Sequence, residues 1–274
     1  MSRRPEWWLT VLAKIWPITW ISAKATTWPV LGPIVAKIAL PLFSGSNLNI
    51  SYIPIDEQIS PGVSSLLPVQ VVEALIHRSS YYAIIKRCTC RDARQCREHP
   101  MELGCMFLGE AAKDIDSRIA RHVSKDDAIE HLHKTVLNGL VPMVGRVKID
   151  NYIWGVRDYG KLVTVCFCCQ CCCTILTSLK YLPENALDSV ITLKGIYIKI
   201  DQDLCDGCGI CVEGCPVEAL KVDGLQITHD LQKCKSCGRC VAVCPKNAVS
   251  VEVEDIDTAI EDLTERIKPM AELD

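Results

Sequence analysis

The sequence predicts an α+β chain in three parts and a C-terminal helix. An N-terminal amphipathic helical arm leads into a small cysteine-rich α/β domain, and a compact module with an internal repeat follows. Three observations predict this. Eight cysteines near the C-terminus fall into two copies of one spacing, ten more crowd the middle of the chain, and five of the six tryptophans lie in the first 28 residues. The expected boundaries are 1–45 for the arm, 46–182 for the cysteine-rich domain, 183–255 for the repeated module and 256–274 for a C-terminal helix.

The repeat comprises Cys205, Cys208, Cys211 and Cys215, followed by Pro216, and then Cys234, Cys237, Cys240 and Cys244, followed by Pro245. Both runs read C-x2-C-x2-C-x3-C-P. Two residues between cysteines let a tight loop aim three sulfurs at one small object, and a fourth ligand comes from elsewhere. One C-x2-C pair alone is equally a zinc motif. The doubled run is that of ferredoxins carrying two [4Fe–4S] clusters, and residues 195–255 resemble the bacterial two-cluster ferredoxin family. The resemblance implies a ferredoxin-like pseudo-twofold domain of two β-hairpins and two short helices. It also implies crossed ligation: Cys205, Cys208, Cys211 and Cys244 for one cluster, and Cys234, Cys237, Cys240 and Cys215 for the other. Gly207, Gly209, Gly214 and Gly238 let the backbone wind closely around each cluster. Residues 195–200 alternate as an entering strand, the short helices are expected at 217–219 and 246–248, and residues 225–228 and 249–253 read as paired strands.

The composition suits a folded chain: 274 residues, 49% hydrophobic and 23% charged. Eighteen cysteines in so long a chain point to metal binding in a reducing compartment rather than to a disulfide scaffold. The expected location is cytoplasmic, with the membrane inner face as a peripheral docking surface. The net charge of −3 hides an asymmetry. Five bases (Arg3, Arg4, Lys14, Lys24, Lys37) stand against Glu6 through residue 55, whereas sixteen acids face eight bases from Gly195 onward. An acidic module suits a basic redox protein partner and argues against nucleic acid.

Trp7, Trp8, Trp16, Trp20 and Trp28 are interleaved with aliphatic residues and with Lys14, Lys24 and Lys37, and prolines interrupt at 17, 29, 33 and 41. No stretch reaches the ~18 uncharged apolar residues of a spanning helix. The pattern fits a segment lying in a membrane interface, an arm buried against a partner, or a helix packed on its own domain. Glu6, Lys14 and Pro17 argue against an export signal.

In the middle region, breaks rich in Ser, Pro and Gly are expected at 44–47 and 60–65. A helix begins at Pro68. A strand then runs into a C-x-C-R turn (Cys88, Cys90, Arg91), with Cys96 and Cys105 beyond. Residues 114–122 read as an amphipathic helix, and Ser124 with Asp127 forms a capping box that opens the next helix, closed by Gly139. His131 and His133 do not share a helix face and are expected in packing or surface roles. A strand at 161–165 then meets Cys166, Cys168, Cys169, Cys171, Cys172 and Cys173, which lead into a helix at 174–181. Six thiols in eight residues exceed what core packing requires. The expectation is a further metal site where two strand ends converge. Cys88, Cys90, Cys96 and Cys105 form one ligand set, and the later six supply or complete another. Zinc and a non-cubane cluster stay open. Residues 50–180 resemble iron–sulfur proteins of anaerobes in which such a domain precedes a ferredoxin module, and that resemblance implies additional iron–sulfur binding.

No dinucleotide fingerprint, P-loop or haem motif is present in the sequence, so no nucleotide cofactor is expected. The expected function is an electron-transfer subunit relaying single electrons. The alternative is a ferredoxin-fused reductase with substrate chemistry at a middle-domain cluster, where Arg87, Arg91 and His99 serve as proton or anion contacts; a role in cluster assembly is a third.

Overall fold

The computed structural model describes residues 4–39, 47–55, 68–157 and 162–270. The breaks expected at 44–47 and 60–65 lie outside the described residues, apart from Asn47. The frame is a six-stranded sheet. Its spatial order is β1 (Leu48–Tyr52), β5 (Val141–Val147), β6 (Val163–Cys168), β3 (Met106–Leu108), β2 (Tyr82–Ile85) and β4 (Ala120–His122). Every neighbouring pair is antiparallel.

Strand alternation divides the packing. Val163, Val165 and Phe167 of β6 share a core with Ile84, Met106 and Leu108. That core is completed by α3 (Val69–Arg78), α5 (Lys125–Leu137) and α11 (Ile256–Ile267), through Val72, Leu75, Ile76, Leu132, Leu263 and Ile267. Each such aliphatic side chain contributes about 1.5–3 kcal/mol on burial. The alternate residues Ala83, Ile85, Phe107 and Leu162 pack with Leu9, Leu12 and Trp154. Leu9 and Leu12 belong to α1 (Trp7–Ala25), and Trp154 to α6 (Ile149–Trp154).

The helix α1 is fastened along its length. Trp8 Nε1 donates to Ile153 O (2.7 Å), Trp16 Nε1 to Thr89 Oγ1 (2.8 Å) and Thr26 Oγ1 to Tyr181 O (3.0 Å). The Arg94 guanidinium lies 3.8 Å from the Trp20 ring centre. Of the three readings of the N-terminal segment, packing on its own domain therefore holds for the inner face of α1. Pro17 does not interrupt α1, and the break in the segment falls between α1 and the next helix, around Pro29. The outer face leaves Trp7, Ile15, Ile18 and Ile21 exposed, as are Trp28, Val30, Leu31, Ile34 and Ile38 around α2 (Gly32–Ala39). No helix among the described residues is long and apolar enough to cross a membrane.

The C-terminal helix returns to the sheet. Arg266 of α11 donates to Asn49 Oδ1 (3.0 Å) and Ser51 Oγ (2.8 Å) of β1. Between α8 (Glu184–Leu187) and α11 the chain builds the repeated module. Here β7 (Ile196–Ile200) pairs with β10 (Val249–Val253), and β8 (Leu220–Asp223) forms a hairpin with β9 (Gln226–His229). The short helices are α9 (Ile210–Gly214) and α10 (Arg239–Val243).

Several expectations are corrected. The short helices fall inside the cysteine runs, ahead of 217–219 and 246–248, because the glycines after Cys208 and Cys237 cap them (Gly209 φ 77°, Gly238 φ 72°). Residues 225–228 pair with β8, and 249–253 pair with β7. Residues 114–122 hold the end of a 3-10 turn and the edge strand β4, not a helix, since Ile115, Ile119 and Ala120 are all buried in a core that needs an extended edge. The C-x-C-R segment starts a helix, α4 (Thr89–Ala93). The α5 capping box forms as expected, with Ser124 Oγ accepting from Asp127 N (3.2 Å) and Asp127 Oδ2 accepting from Ser124 N (3.1 Å).

Candidate metal centres

In the module, Cys205, Cys208, Cys211 and Cys244 line one small pocket with Ile200, Ile227 and Val249. Cys215 lies instead with the second run. Burial pushes the Cys234, Cys237 and Cys240 thiols up, Cys237 to about 12, and the charge of Cys215 raises all three further. The two runs match in backbone as well as in spacing. Gly207 (φ 68°) and Ser236 (φ 46°) occupy equivalent left-handed positions, as do Glu218 and Asn247 (both φ 54°). A Cβ on Gly207 would sit 2.8 Å from the Leu225 backbone. Gly214 ends α9 without a positive φ, so the winding role falls to Gly207, Gly209 and Gly238.

In the sheet domain, strand direction gathers the thiols. β3 is antiparallel to both β2 and β6, so the exits of β2 and β6 and the entry of β3 share one end of the sheet. Cys88 and Cys90 follow β2, Cys105 precedes β3, and Cys166 and Cys168 close β6. Met106 is opposite Val165, which places Cys105 opposite Cys166; their Sγ atoms are 3.4 Å apart. Cys166 and Cys168 point to one face, with Thr164, because they are two apart on a strand. Cys173 caps α7 (Thr174–Leu179) and lies 3.2 Å from Cys168 Sγ, and Thr174 Oγ1 donates to Cys90 Sγ (3.2 Å).

These six thiols and Cys169 surround a cavity of about 230 Å³ roofed by α1 through Trp16, Thr19, Ala23 and Thr26. It exceeds the ~150 Å³ void that admits benzene in an engineered core. Arg91 is buried at its edge, 1% exposed. It donates to Phe167 O (3.4 Å) and Leu103 O, and its Nε has no partner among the described residues. The groups facing its charge are Cys88, Cys169, Cys105 and Cys96. A buried cation surrounded by thiols fits a site whose thiols are metal-bound thiolates. The hydrogen bond with Cys90 already draws the Cys88 thiol down to about 6 against the cost of burial. Tyr52 is 1% exposed, with a buried hydroxyl that has no partner among the described residues. Burial holds that phenol well above its usual range, and the thiols of Cys168, Cys173, Cys237 and Cys166 act in the same direction. The phenol is thus within electrostatic reach of both the cavity thiols and Cys237 of the module's second cysteine run. There a Cβ added at Gly238 would sit 3.2 Å from Pro54.

A different group forms at the cavity's edge, sharing Cys169 with its lining. The Sγ atoms of Cys96, Cys169, Cys171 and Cys172 all lie within 4.8 Å of one another. The expected ligand set of Cys88, Cys90, Cys96 and Cys105 is thus divided: Cys96 joins the β6–α7 turn because the loop after α4 carries it away from Cys88. Arg87 pairs with Asp92 (3.3 Å) and Thr10 (2.9 Å), and His99 Nδ1 lies 2.9 Å from Asn138 Oδ1. His131 is buried with Nε2 against Gly104 O (2.8 Å), and His133 meets Glu73 (2.5 Å). Sequence reasoning singled out neither Tyr52 nor Asp150. Asp150 is a half-buried cavity carboxyl that accepts from Thr164 Oγ1 (2.6 Å), and desolvation raises it to about 6.

Residues 197–245 match the family model for the 4Fe-4S dicluster domain. No curated protein matches the chain. With that domain and its eight appropriately spaced cysteines, the chain carries an iron–sulfur electron-transfer module of the ferredoxin type.

Proposed function

We propose that this protein relays single electrons to a redox protein partner, using the two clusters of the dicluster domain and a further cluster in the α1-roofed cavity. The observation that carries this reading is Tyr52, whose buried hydroxyl has no partner among the described residues and feels the charge of cavity thiols and of Cys237 alike. Cys205, Cys208, Cys211 and Cys244 would hold one cluster, and Cys215, Cys234, Cys237 and Cys240 the second. Cys88, Cys90, Cys105, Cys166, Cys168 and Cys173 offer the thiols for the third. Bound clusters supply reversible one-electron storage. The chain supplies the surroundings. Arg91 offsets negative charge, α1 excludes water, and the Tyr52 hydroxyl offers a donor of the kind that tunes such centres. The acidic module suits a basic protein partner. Lys14, Lys24 and Lys37, set among the exposed apolar side chains of α1 and α2, suit the anionic surface of a membrane.

Iron and acid-labile sulfide per chain, measured on anaerobically purified protein, test the reading. About twelve irons are expected, falling to about eight in a Cys168→Ala/Cys173→Ala variant. About eight irons in the unaltered protein would remove the third cluster. Asp150 favours a second reading, reduction of a small substrate in the same cavity. A carboxyl raised to about 6 there is suited to proton delivery, and turnover lost in Asp150→Asn with unchanged iron content would distinguish it.

A further inference from the structure

We propose that Cys96, Cys169, Cys171 and Cys172 hold a single tetrahedral metal ion, zinc or iron, separate from every cluster of the chain. Four thiolates around one such ion, with bonds of ~2.3 Å, stand roughly 3.8 Å from one another. These four already lie within 4.8 Å of one another, with Cys96 and Cys171 at 3.6 Å. The module provides an internal comparison. A cube takes one thiolate on each of four irons, which holds those sulfurs at separate corners. Among the described residues neither module quartet gathers within 4.8 Å, and no three of the cavity thiols Cys88, Cys90, Cys105, Cys166, Cys168 and Cys173 do.

Local chain geometry builds the cage. Cys173 caps α7, its Sγ accepting from Leu176 N (3.5 Å), and is committed to the buried side beside Cys168. The preceding turn leaves Cys171 exposed while Cys169 and Cys172 are buried. Gln95, in a left-handed conformation (φ 50°), turns the chain so that Cys96 meets this loop. The backbone N–H groups of Glu98 and His99 favour the thiolate form of Cys96, an influence that supports thiolate ligands. The buried Arg91 guanidinium faces both Cys96 and Cys169 and offsets the net negative charge of a filled site. Exposure of Cys171 gives the ion an entry path. The site clips the loop after α4 to the β6–α7 turn and so fixes the separation of the two cysteine-bearing strand ends.

The test uses the full chain, purified anaerobically, with zinc and iron assayed together and the reduced-cluster EPR signal recorded. The same measurements are made on Cys96→Ser and Cys171→Ser and, for all three proteins, after expression with Co²⁺. One ion per chain beyond the cluster iron is expected. Zinc is identified by assay, and ferric iron by a high-spin EPR signal. Each variant loses that ion while its cluster iron and EPR signal stay at the level of the unaltered protein. Variants that keep the ion, or that lose iron in steps of about four per chain, overturn the proposal. If neither variant accumulates, the unaltered protein decides. Thiolate-to-cobalt charge-transfer bands with intense tetrahedral d–d bands support a tetrathiolate site, and cobalt without them refutes it.

Discussion

Replacing Arg91 by Met separates a metal-dependent role from ordinary packing. Met keeps most of the side-chain volume and removes the charge. In the metal-loaded protein the guanidinium is the buried counter-charge facing Cys88, Cys169, Cys105 and Cys96. Removing one partner of such a buried arrangement costs about 3–5 kcal/mol. In metal-depleted protein the same cation is buried against mainly neutral thiols, without a carboxylate partner among the described residues. Its loss relieves a desolvation penalty of several kcal/mol and leaves the carbonyls of Phe167 and Leu103 without that donor, at about 1–3 kcal/mol each. The two terms nearly cancel. The substitution is therefore expected to be within ~1 kcal/mol of neutral without metal and strongly destabilising with it. Urea unfolding of loaded and depleted protein, followed at constant m, reads the difference. One charge about 8 Å away at an effective dielectric of ~20 is worth ~2 kcal/mol, so a nearby redox centre should fall by roughly 90 mV. Equal destabilisation in both forms, with no change of potential, would refute the counter-charge argument.

Three further outcomes are expected. Burial, with Arg121, Arg91 and Lys134 adding to it, holds the His131 imidazole below its ordinary range. The unfolded chain then binds a proton that the native state refuses. Stability falls as pH drops below about 6.5, by up to ~1.4 kcal/mol per unit, and His131→Phe should flatten that slope in urea titrations at pH 7.5 and 5.5. Trp16→Ala removes the 2.8 Å bond to Thr89 and part of the cavity roof. A loss of about 2 kcal/mol and faster chelator access to cavity iron are expected, with the module's EPR signal unaffected; equal access in both proteins would show that α1 is no lid. Changing Lys14, Lys24 and Lys37 to Ala should weaken flotation with phosphatidylglycerol vesicles roughly 100-fold at low salt, and unchanged binding would dismiss the membrane-facing strip.

The sequence by itself determined what is encoded over short distances. The doubled cysteine run fixes three ligands of each cluster within one loop, because x2 spacing leaves the chain few ways to place three sulfurs. The Ser124–Asp127 box likewise fixes the start of α5 within one turn. The sequence also drew attention to the middle cysteines, by their number, as a candidate metal site. What it could not supply is the division of those ten. Cys96 is eight residues from Cys88 yet belongs with Cys171, because β3, entered from the opposite direction, separates β2 from β6 and the loop after α4 swings across the sheet end. Residues 114–122 carry a helical period but end in the edge strand β4, since burial against the α1 side outweighs weak local propensity. The Trp-rich segment has two faces that sequence reads as one. Only tertiary packing shows that Trp16 closes a cavity while Ile18 and Ile21 stay exposed. Tyr52 and Arg91 gain their meaning the same way: a buried hydroxyl with no partner and a buried cation with no carboxylate among the described residues are defined by what surrounds them, and those surroundings come from strands far apart in the chain.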